Sequence, residues 1–138
     1  MTGRNGFAAL ALALAAAGGT ACSSHAGAAA AGAGAAYYLT SRGAEGFAQG
    51  NVDQVAARIP GVMSAMGITP SGTENNDNGA EREFKGTVNG MDVNIELEKK
   101  TETETLVQVT ASTGTLRYDK DYARQVVERV VTASANQQ

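Results

Sequence analysis

Residues 80–98 read AEREFKGTV-NG-MDVNIELE, and this stretch decides the fold because it predicts a β-hairpin. The Asn-Gly pair at 89–90 is typical of the two-residue type I′ turn that joins antiparallel strands. In the second strand, apolar residues at 91, 93, 95 and 97 alternate with polar residues. This alternation is typical of an antiparallel sheet that is covered on one side and solvated on the other.

The turn also fixes the register of the hairpin, because the length of the loop sets the pairing of the strands. Val88 then pairs with Met91, and Phe84 pairs with Ile95, on the apolar face. The polar face receives four glutamates, which are Glu81, Glu83, Glu96 and Glu98.

These four glutamates form two like-charged pairs, Glu83 opposite Glu96 and Glu81 opposite Glu98. Like charges directly across two strands are destabilising, so the arrangement needs an explanation. One interpretation is a solvated acidic face, relieved by Lys85, Lys99 and Lys100. The other is a weak site for a divalent cation or a basic partner, since calcium prefers carboxylate oxygens.

Further elements are predicted on both sides of the hairpin. A third strand follows the turn at 99–103, and its inner face holds Thr105, Val107, Val109 and Ala111. Apolar positions at helical spacing predict a helix from Val52 to Met66, with Asn51 as its N-cap. Pro60-Gly61 predicts a kink or two shorter helices, and Gly67 ends the element.

The C-terminal helix is predicted from Asp119 to Ala133, with Tyr122, Val126 and Val130 in its buried stripe. Residues 70–79 (PSGTENNDNG) are predicted as a loop, because turn formers dominate them. Residues 40–50 (TSRGAEGFAQG) contain three glycines and predict a frayed edge strand or a loop. The expected fold is therefore α+β, an antiparallel sheet of three to four strands with two helices packed on one face.

Composition excludes several kinds of chemistry. The chain has 138 residues, a net charge of −3, one cysteine, one histidine and no tryptophan. This composition leaves no cysteine–histidine metal cage and no basic excess for nucleic acid. Residues 37–138 offer only carboxylates and lysines as bases, and no phosphate-loop, dinucleotide or nucleophile-elbow motif occurs. We therefore predict a protein that is not an enzyme, with no catalytic, cofactor-binding or metal-ligating residues and no cofactor.

The N-terminal residues have the order of an export signal. Arg4 precedes an apolar run at 7–17 (FAALALALAAA), and small residues lead to Cys22. The run has the length of a signal-peptide core and is too short to span a membrane. Thr20-Ala21-Cys22 resembles the lipobox of bacterial lipoproteins, whose signal is cut before a cysteine that then carries lipid. This resemblance implies cleavage between Ala21 and Cys22, lipidation of Cys22 and attachment to the membrane.

Two alternatives to lipidation stay open, a free thiol at Cys22 and an ordinary signal peptide that is cleaved elsewhere. If Cys22 is lipidated, the predicted organisation is a signal peptide at 1–21, an Ala/Gly-rich tether at 22–43, a domain at 44–134 and a disordered tail at 135–138. Residues 24–36 (SHAGAAAAGAGAA) suit a flexible spacer because they have almost no side chains to bury. The alternative for this segment is a glycine-zipper-like element that associates with itself or with the membrane.

The chain resembles a family of small bacterial lipoproteins of unknown function. The resemblance is carried by Cys22, by GAGAAYY at 32–38, and by the succession of helix, alternating strands and C-terminal helix. It implies no known activity, cofactor or catalytic residue. In lipoproteins of bacteria with two membranes, an aspartate after the cysteine retains the protein in the inner membrane. Because Ser23 is not an aspartate, we expect an outer-membrane lipoprotein that faces the periplasm.

Three functions fit these expectations, of which we predict the first and keep the other two as alternatives. The first is a non-enzymatic, lipid-anchored envelope protein that presents its domain to an envelope protein partner. The second is a module that binds a ligand or a cation. The third gives the Ala/Gly segment the active role, through self-association. The sequence leaves the oligomeric state open.

Overall fold

The computed structural model describes residues 37–135, and these form one antiparallel sheet with helices on one side. The strands are β1 (Tyr37–Leu39), β2 (Gly43–Gln49), β3 (Thr69–Asn76), β4 (Glu81–Val88), β5 (Met91–Lys99), β6 (Glu104–Thr113) and β7 (Arg117–Tyr118). The helices are α1 (Val52–Ala56), α2 (Ile59–Ala65) and α3 (Lys120–Ala135). The order across the sheet is β1-β2-β6-β5-β4-β3, and β7 pairs with one end of β6.

The predicted hairpin is confirmed residue by residue. Strands β4 and β5 pair with Val88 opposite Met91 and Phe84 opposite Ile95. Asn89 and Gly90 both have positive φ, at 49° and 75°, as a type I′ turn requires. The inner face of β6 is also as predicted, and Thr105, the one polar residue there, donates its hydroxyl hydrogen to the Gly50 carbonyl oxygen at 2.9 Å.

The predicted first helix is two segments, α1 and α2, that meet just before Pro60. Asn51 caps α1 through a complete capping box, in which its side chain accepts from the Gln54 backbone at 2.9 Å and the Gln54 side chain accepts from the Asn51 backbone at 3.0 Å. Proline is accepted in the first turn of α2 because the amide it lacks would have no helical partner there. Gly67, with φ of 70°, follows the end of α2.

The helices cover one face of the sheet and form the core with it. Helix α3 packs mainly on β2 and β6, while α1 lies over β5, β4 and β6. The buried side of α3 contains Val126, Val127, Val130 and Val131, of which Val131 was not in the predicted stripe. Tyr122 is half-buried and donates its hydroxyl hydrogen to the Met66 carbonyl oxygen at 3.2 Å, which joins α3 to the end of α2.

The expected number of strands was too low, and the first error lies in residues 40–50. These residues hold β2, which is not an edge strand, because it pairs with β1 on one side and with β6 on the other. The glycines weaken a strand in isolation, but here small side chains fit the space under α3. Ala44 and Ala48 are almost fully buried there. Gly43 lies so close to β6 that a Cβ would overlap the Val109 carbonyl oxygen.

The second error lies in residues 70–79, which are mostly strand. Strand β3 pairs with the outer edge of β4 and is exposed along its whole length, so no apolar alternation marks it in the sequence. Its pairing shifts register between Pro70 and Gly72. Proline and a bulge are typical of edge strands, because the outward amides of such strands need no partner in the sheet.

Strand β1 lies within the segment 22–43 that the composition assigned to the tether. Its Tyr37 ring packs against the core, and the Arg124 guanidinium carbon lies 6.0 Å from the ring centroid. The predicted signal peptide at 1–21, the Ala/Gly-rich segment up to residue 36 and tail residues 136–138 lie outside the described residues.

Candidate functional site

The side of the sheet away from the helices, which we call the open face, is the candidate site. Side chains alternate along each strand, so the register of the paired strands decides which residues share this face. The helices pack on the opposite side of the sheet, and the loop at 40–42 borders this face, where Arg42 lines a depression with Glu45 and Glu96. Glu45, Phe47 and Gln49 of β2 share the face with Leu106 and Gln108 of β6. The alternate residues of β3, β4 and β5 complete it.

The four predicted glutamates lie together on the β4–β5 part of the open face. Glu83 is opposite Glu96, and Glu81 is opposite Glu98, as the hairpin register predicted. With Asn76 and Gln108 they line a shallow depression of about 240 Å³. The structure therefore brings the predicted patch together, while its role as a site stays a prediction.

Neighbouring side chains relieve the repulsion between these glutamates. The Asn94 amide donates to Glu83 at 2.7 Å and to Glu96 at 3.0 Å, so one neutral donor bridges a like-charged pair. The Lys100 ammonium lies 2.6 Å from a Glu98 carboxylate oxygen. Of the lysines expected to help, Lys99 instead pairs with Glu102 at 2.5 Å, outside the patch.

Lys85 is the cation that the strands themselves contribute to this face. It lies 2.8 Å from a carboxylate oxygen of Glu74 and 3.3 Å from one of Glu83. The hydrogen bond and the charge of Lys85 lower the pKa of Glu74 below its ordinary value of 4.5. The same hydrogen bond to Glu74 is the largest cause that raises the pKa of Lys85. Both groups therefore stay charged at neutral pH.

The acidic surface extends well beyond the predicted patch. Eight of the fourteen acidic residues of the chain lie on the open face: Glu45, Glu74, Glu81, Glu83, Asp92, Glu96, Glu98 and Glu104. Sequence reasoning missed Glu45 and Glu74, because it did not place β2 and β3 in the sheet. The missing signal was the pairing of these strands with β6 and β4, which local patterning does not carry.

A groove of about 780 Å³ lies between α2 and α3 on the opposite side. Arg58 and Arg129 line it together with Glu128 and small residues of α2. The Arg58 guanidinium donates to the Gln49 carbonyl oxygen at 3.3 Å. The groove is wide and open, and its charges are mixed, so its chemistry points to no particular ligand.

The described residues give the cation hypothesis no support. Within 37–135, no group of three or more histidine, cysteine, aspartate or glutamate side chains is placed to hold a metal ion. The carboxylates of the patch are engaged by amide and ammonium groups instead. A solvated acidic face, relieved by these neighbours, and a surface for a basic partner both remain as interpretations of the patch.

Comparisons with known proteins find no match for this chain among protein-family models, curated proteins or solved structures. The resemblance to a lipoprotein family therefore stays a prediction.

The predicted lipidation and cleavage residues, Ala21 and Cys22, lie outside the described residues. Between residues 37 and 135, no helix combines the length and the apolar character needed to cross a bilayer.

Proposed function

We propose that this chain is a non-enzymatic, lipid-anchored protein of the bacterial cell envelope that presents its open face to a protein partner in the periplasm. The observation that carries the proposal is the uncovered side of a seven-stranded sheet. An antiparallel sheet commonly packs one face on the core and leaves the other solvated, and the solvated face is the surface that we assign to the partner. The proposal includes removal of residues 1–21, lipid on Cys22 and an outer-membrane location.

The partner is tested by photo-crosslinking in cells, with a matched pair of exposed glutamines. Gln49 lies on the open face, and Gln125 lies on α3 on the opposite side. We expect a photoreactive side chain at Gln49 to crosslink to a discrete protein, while the same group at Gln125 does not. Equal crosslinking from both positions, or none from Gln49, would contradict the proposal.

The anchor is tested by Cys22→Ala. The expected result is loss of palmitate labelling and release from the membrane fraction, since a lipoprotein cysteine is the attachment point of the acyl chains. A neighbouring change, Ser23→Ala, serves as the control and should leave both unchanged. If the Cys22→Ala protein still labels with palmitate and stays with membranes, the anchor is elsewhere.

The self-association alternative is tested by deletion of residues 26–36. Crosslinking from Gln49 should survive this deletion, because the open face lies in the folded domain. If the deletion abolishes crosslinking while the domain remains folded, the Ala/Gly segment has the active role instead.

A further inference from the structure

We infer that the open face binds a cationic protein segment that also places an apolar side chain against Phe47. This inference rests on the proposed function, because it specifies the chemistry of the partner for the same face. Three features support it. They are the negative charge of the face, the Asn94 side-chain oxygen that accepts no hydrogen bond from the described residues, and the exposed rings of Phe47 and Tyr38 at one side.

The charges of the chain are separated between the two sides of the sheet. The eight carboxylates of the open face are accompanied there by Lys85 on β4, by Lys100, whose ammonium lies 2.6 Å from Glu98, and by Arg42, which lines a depression with Glu45 and Glu96. The rest of 37–138 holds seven lysines and arginines and six acidic residues. Adjacent strands are about 4.8 Å apart, which is less than the Debye length of about 8 Å at physiological salt. The fields of neighbouring carboxylates therefore add at the open face.

This field selects against other occupants of the face. A second copy of the chain would bring two acidic faces together, and nucleic acid or an anionic membrane would bring further negative charge. Like-charge juxtaposition at an interface is strongly unfavourable. A single metal ion lacks a group of three ligands within 37–135. A cationic protein segment is the occupant that the charge complements.

Asn94 provides a second observation that favours a donor-rich partner. Its amide nitrogen is used by Glu83 and Glu96. Its side-chain oxygen is buried and accepts no hydrogen bond from the described residues. A buried acceptor without a donor costs free energy. An ammonium or guanidinium group that binds the Glu83 and Glu96 carboxylates would neutralise negative charge beside this acceptor.

The exposed aromatic rings at one side of the open face predict that the partner also carries an apolar side chain. Phe47 is 36% exposed and lies opposite Leu106 on the open face. Tyr38, which is 38% exposed, lies on the neighbouring strand β1. These aromatic rings lie at the β1–β2 side, and Phe47 is in line across the sheet with the Glu81–Glu98 pair, which lies two to three strands away. At about 4.8 Å per strand, the basic and apolar groups of the partner are roughly 10–14 Å apart.

The test measures binding of a defined probe to the full-length chain carrying Cys22→Ala. The probe is a short peptide that contains six lysines and one phenylalanine, with two matched peptides in which the lysines are glutamines or the phenylalanine is alanine. One protein variant replaces Glu81, Glu83, Glu96 and Glu98 by glutamine. Its control removes the same charge elsewhere, through Asp77→Asn, Glu102→Gln, Asp121→Asn and Glu128→Gln.

We expect the open-face variant to weaken binding of the lysine peptide about tenfold or more, since four exposed ion pairs are lost. The control variant should weaken it less than about twofold. Binding should also fall steeply as salt rises, because screening shortens the reach of the field. If both variants weaken binding equally, only net charge matters and the inference is overturned; an unchanged affinity in the open-face variant overturns it as well.

Phe47→Ala tests the apolar contact. It should weaken binding of the phenylalanine peptide severalfold and leave the alanine peptide unaffected, so that the two changes are coupled. Independence of the two changes would overturn this part. The crosslinking experiment in cells tests the proposed function separately. If Gln49 crosslinks to a segment without lysine or arginine, the inference is wrong while the proposed function stands. If Gln49 gives no crosslink, the proposed function itself is wrong.

Discussion

Three glycine-to-alanine substitutions should change stability in different directions, because the space around each glycine differs. At Gly43 a Cβ would overlap the Val109 carbonyl oxygen and stand 3.0 Å from its carbonyl carbon and 3.1 Å from the Thr110 Cα. All three atoms belong to the backbone of β6, so no side-chain movement relieves the overlap. Strand β2 must move away from β6, and the flanking hydrogen bonds lengthen.

The magnitude for Gly43→Ala follows from two contributions. Overpacking costs about 1–3 kcal/mol, and each weakened backbone hydrogen bond adds about 0.5–1.5 kcal/mol. With two bonds affected, we expect a loss of about 2–6 kcal/mol in the free energy of unfolding. This is a large part of the stability of a small domain.

Gly86→Ala should be less harmful. Its Cβ would lie 2.5 Å from Ile68 Cγ2 and 2.7 Å from Met63 Cε, which are ends of side chains, and 2.9 Å from the Thr69 carbonyl oxygen. Because two of these three atoms can move, we expect a loss of about 1–3 kcal/mol. Gly61, inside α2, has nothing within 4 Å of its Cβ position. There alanine should stabilise the protein by about 0.5 kcal/mol.

The assay is urea unfolding followed by far-UV circular dichroism, with all variants in the Cys22→Ala background. A thermal melt gives a second reading, at about 4–8 °C per kcal/mol for a domain of this size. The expected order of stability is Gly61→Ala, parent, Gly86→Ala and then Gly43→Ala. The reasoning is refuted if Gly43→Ala lies within about 1 kcal/mol of the parent, or if Gly61→Ala is as harmful as Gly43→Ala.

Three further predictions concern the first helix, the hairpin turn and the pair on the open face. Asn51→Ala removes the capping box of α1 and should lower the free energy of unfolding by about 1 kcal/mol. The measurement is the shift of the urea midpoint at constant slope, and no shift would mean that the cap does not contribute to stability. Gly90→Ala places a side chain at a φ of 75° and should cost about 1 kcal/mol by the same measurement, and an unchanged midpoint would contradict the type I′ geometry. Glu74→Gln should lower the melting temperature at pH 6, because the lowered pKa of Glu74 beside Lys85 makes the ion pair stabilising above pH 4.5. The difference from the parent should shrink as the pH falls below 4.5 and through the folded-state pKa, and a difference that stays constant into acid would show that charge is not its source.

The structure confirms the parts of the fold for which local chemistry is sufficient. The Asn-Gly turn and the alternation in β5 fix the register of β4 against β5. The geometry of the turn allows one pairing of the strands, and the apolar residues must share one face. The capping residue of α1 and the break before Pro60 are likewise local, since they depend on the hydrogen bonds and the ring of a few adjacent residues. The four glutamates opposite each other follow from that register alone.

The strands at the two sides of the sheet were not predictable in the same way. Strand β2 looks weak because its glycines and alanines lack apolar bulk, yet those small residues are what the close approach of α3 and β6 requires. Strand β3 is exposed throughout, so its sequence has no buried face to reveal it. Both are strands because a neighbour, β6 or β4, offers unpaired backbone groups.

The sequence by itself determined the central hairpin, the third strand beside it, the helical stripes and the like-charged pairs of glutamates, since each depends on residues close together in the chain. Only the tertiary structure decided that the sheet has seven strands and that Glu45 and Glu74 join the hairpin glutamates on one uncovered face. The physical reason is that pairing between distant strands is set by backbone hydrogen bonds and by the fit of small residues under a helix, which no local pattern records.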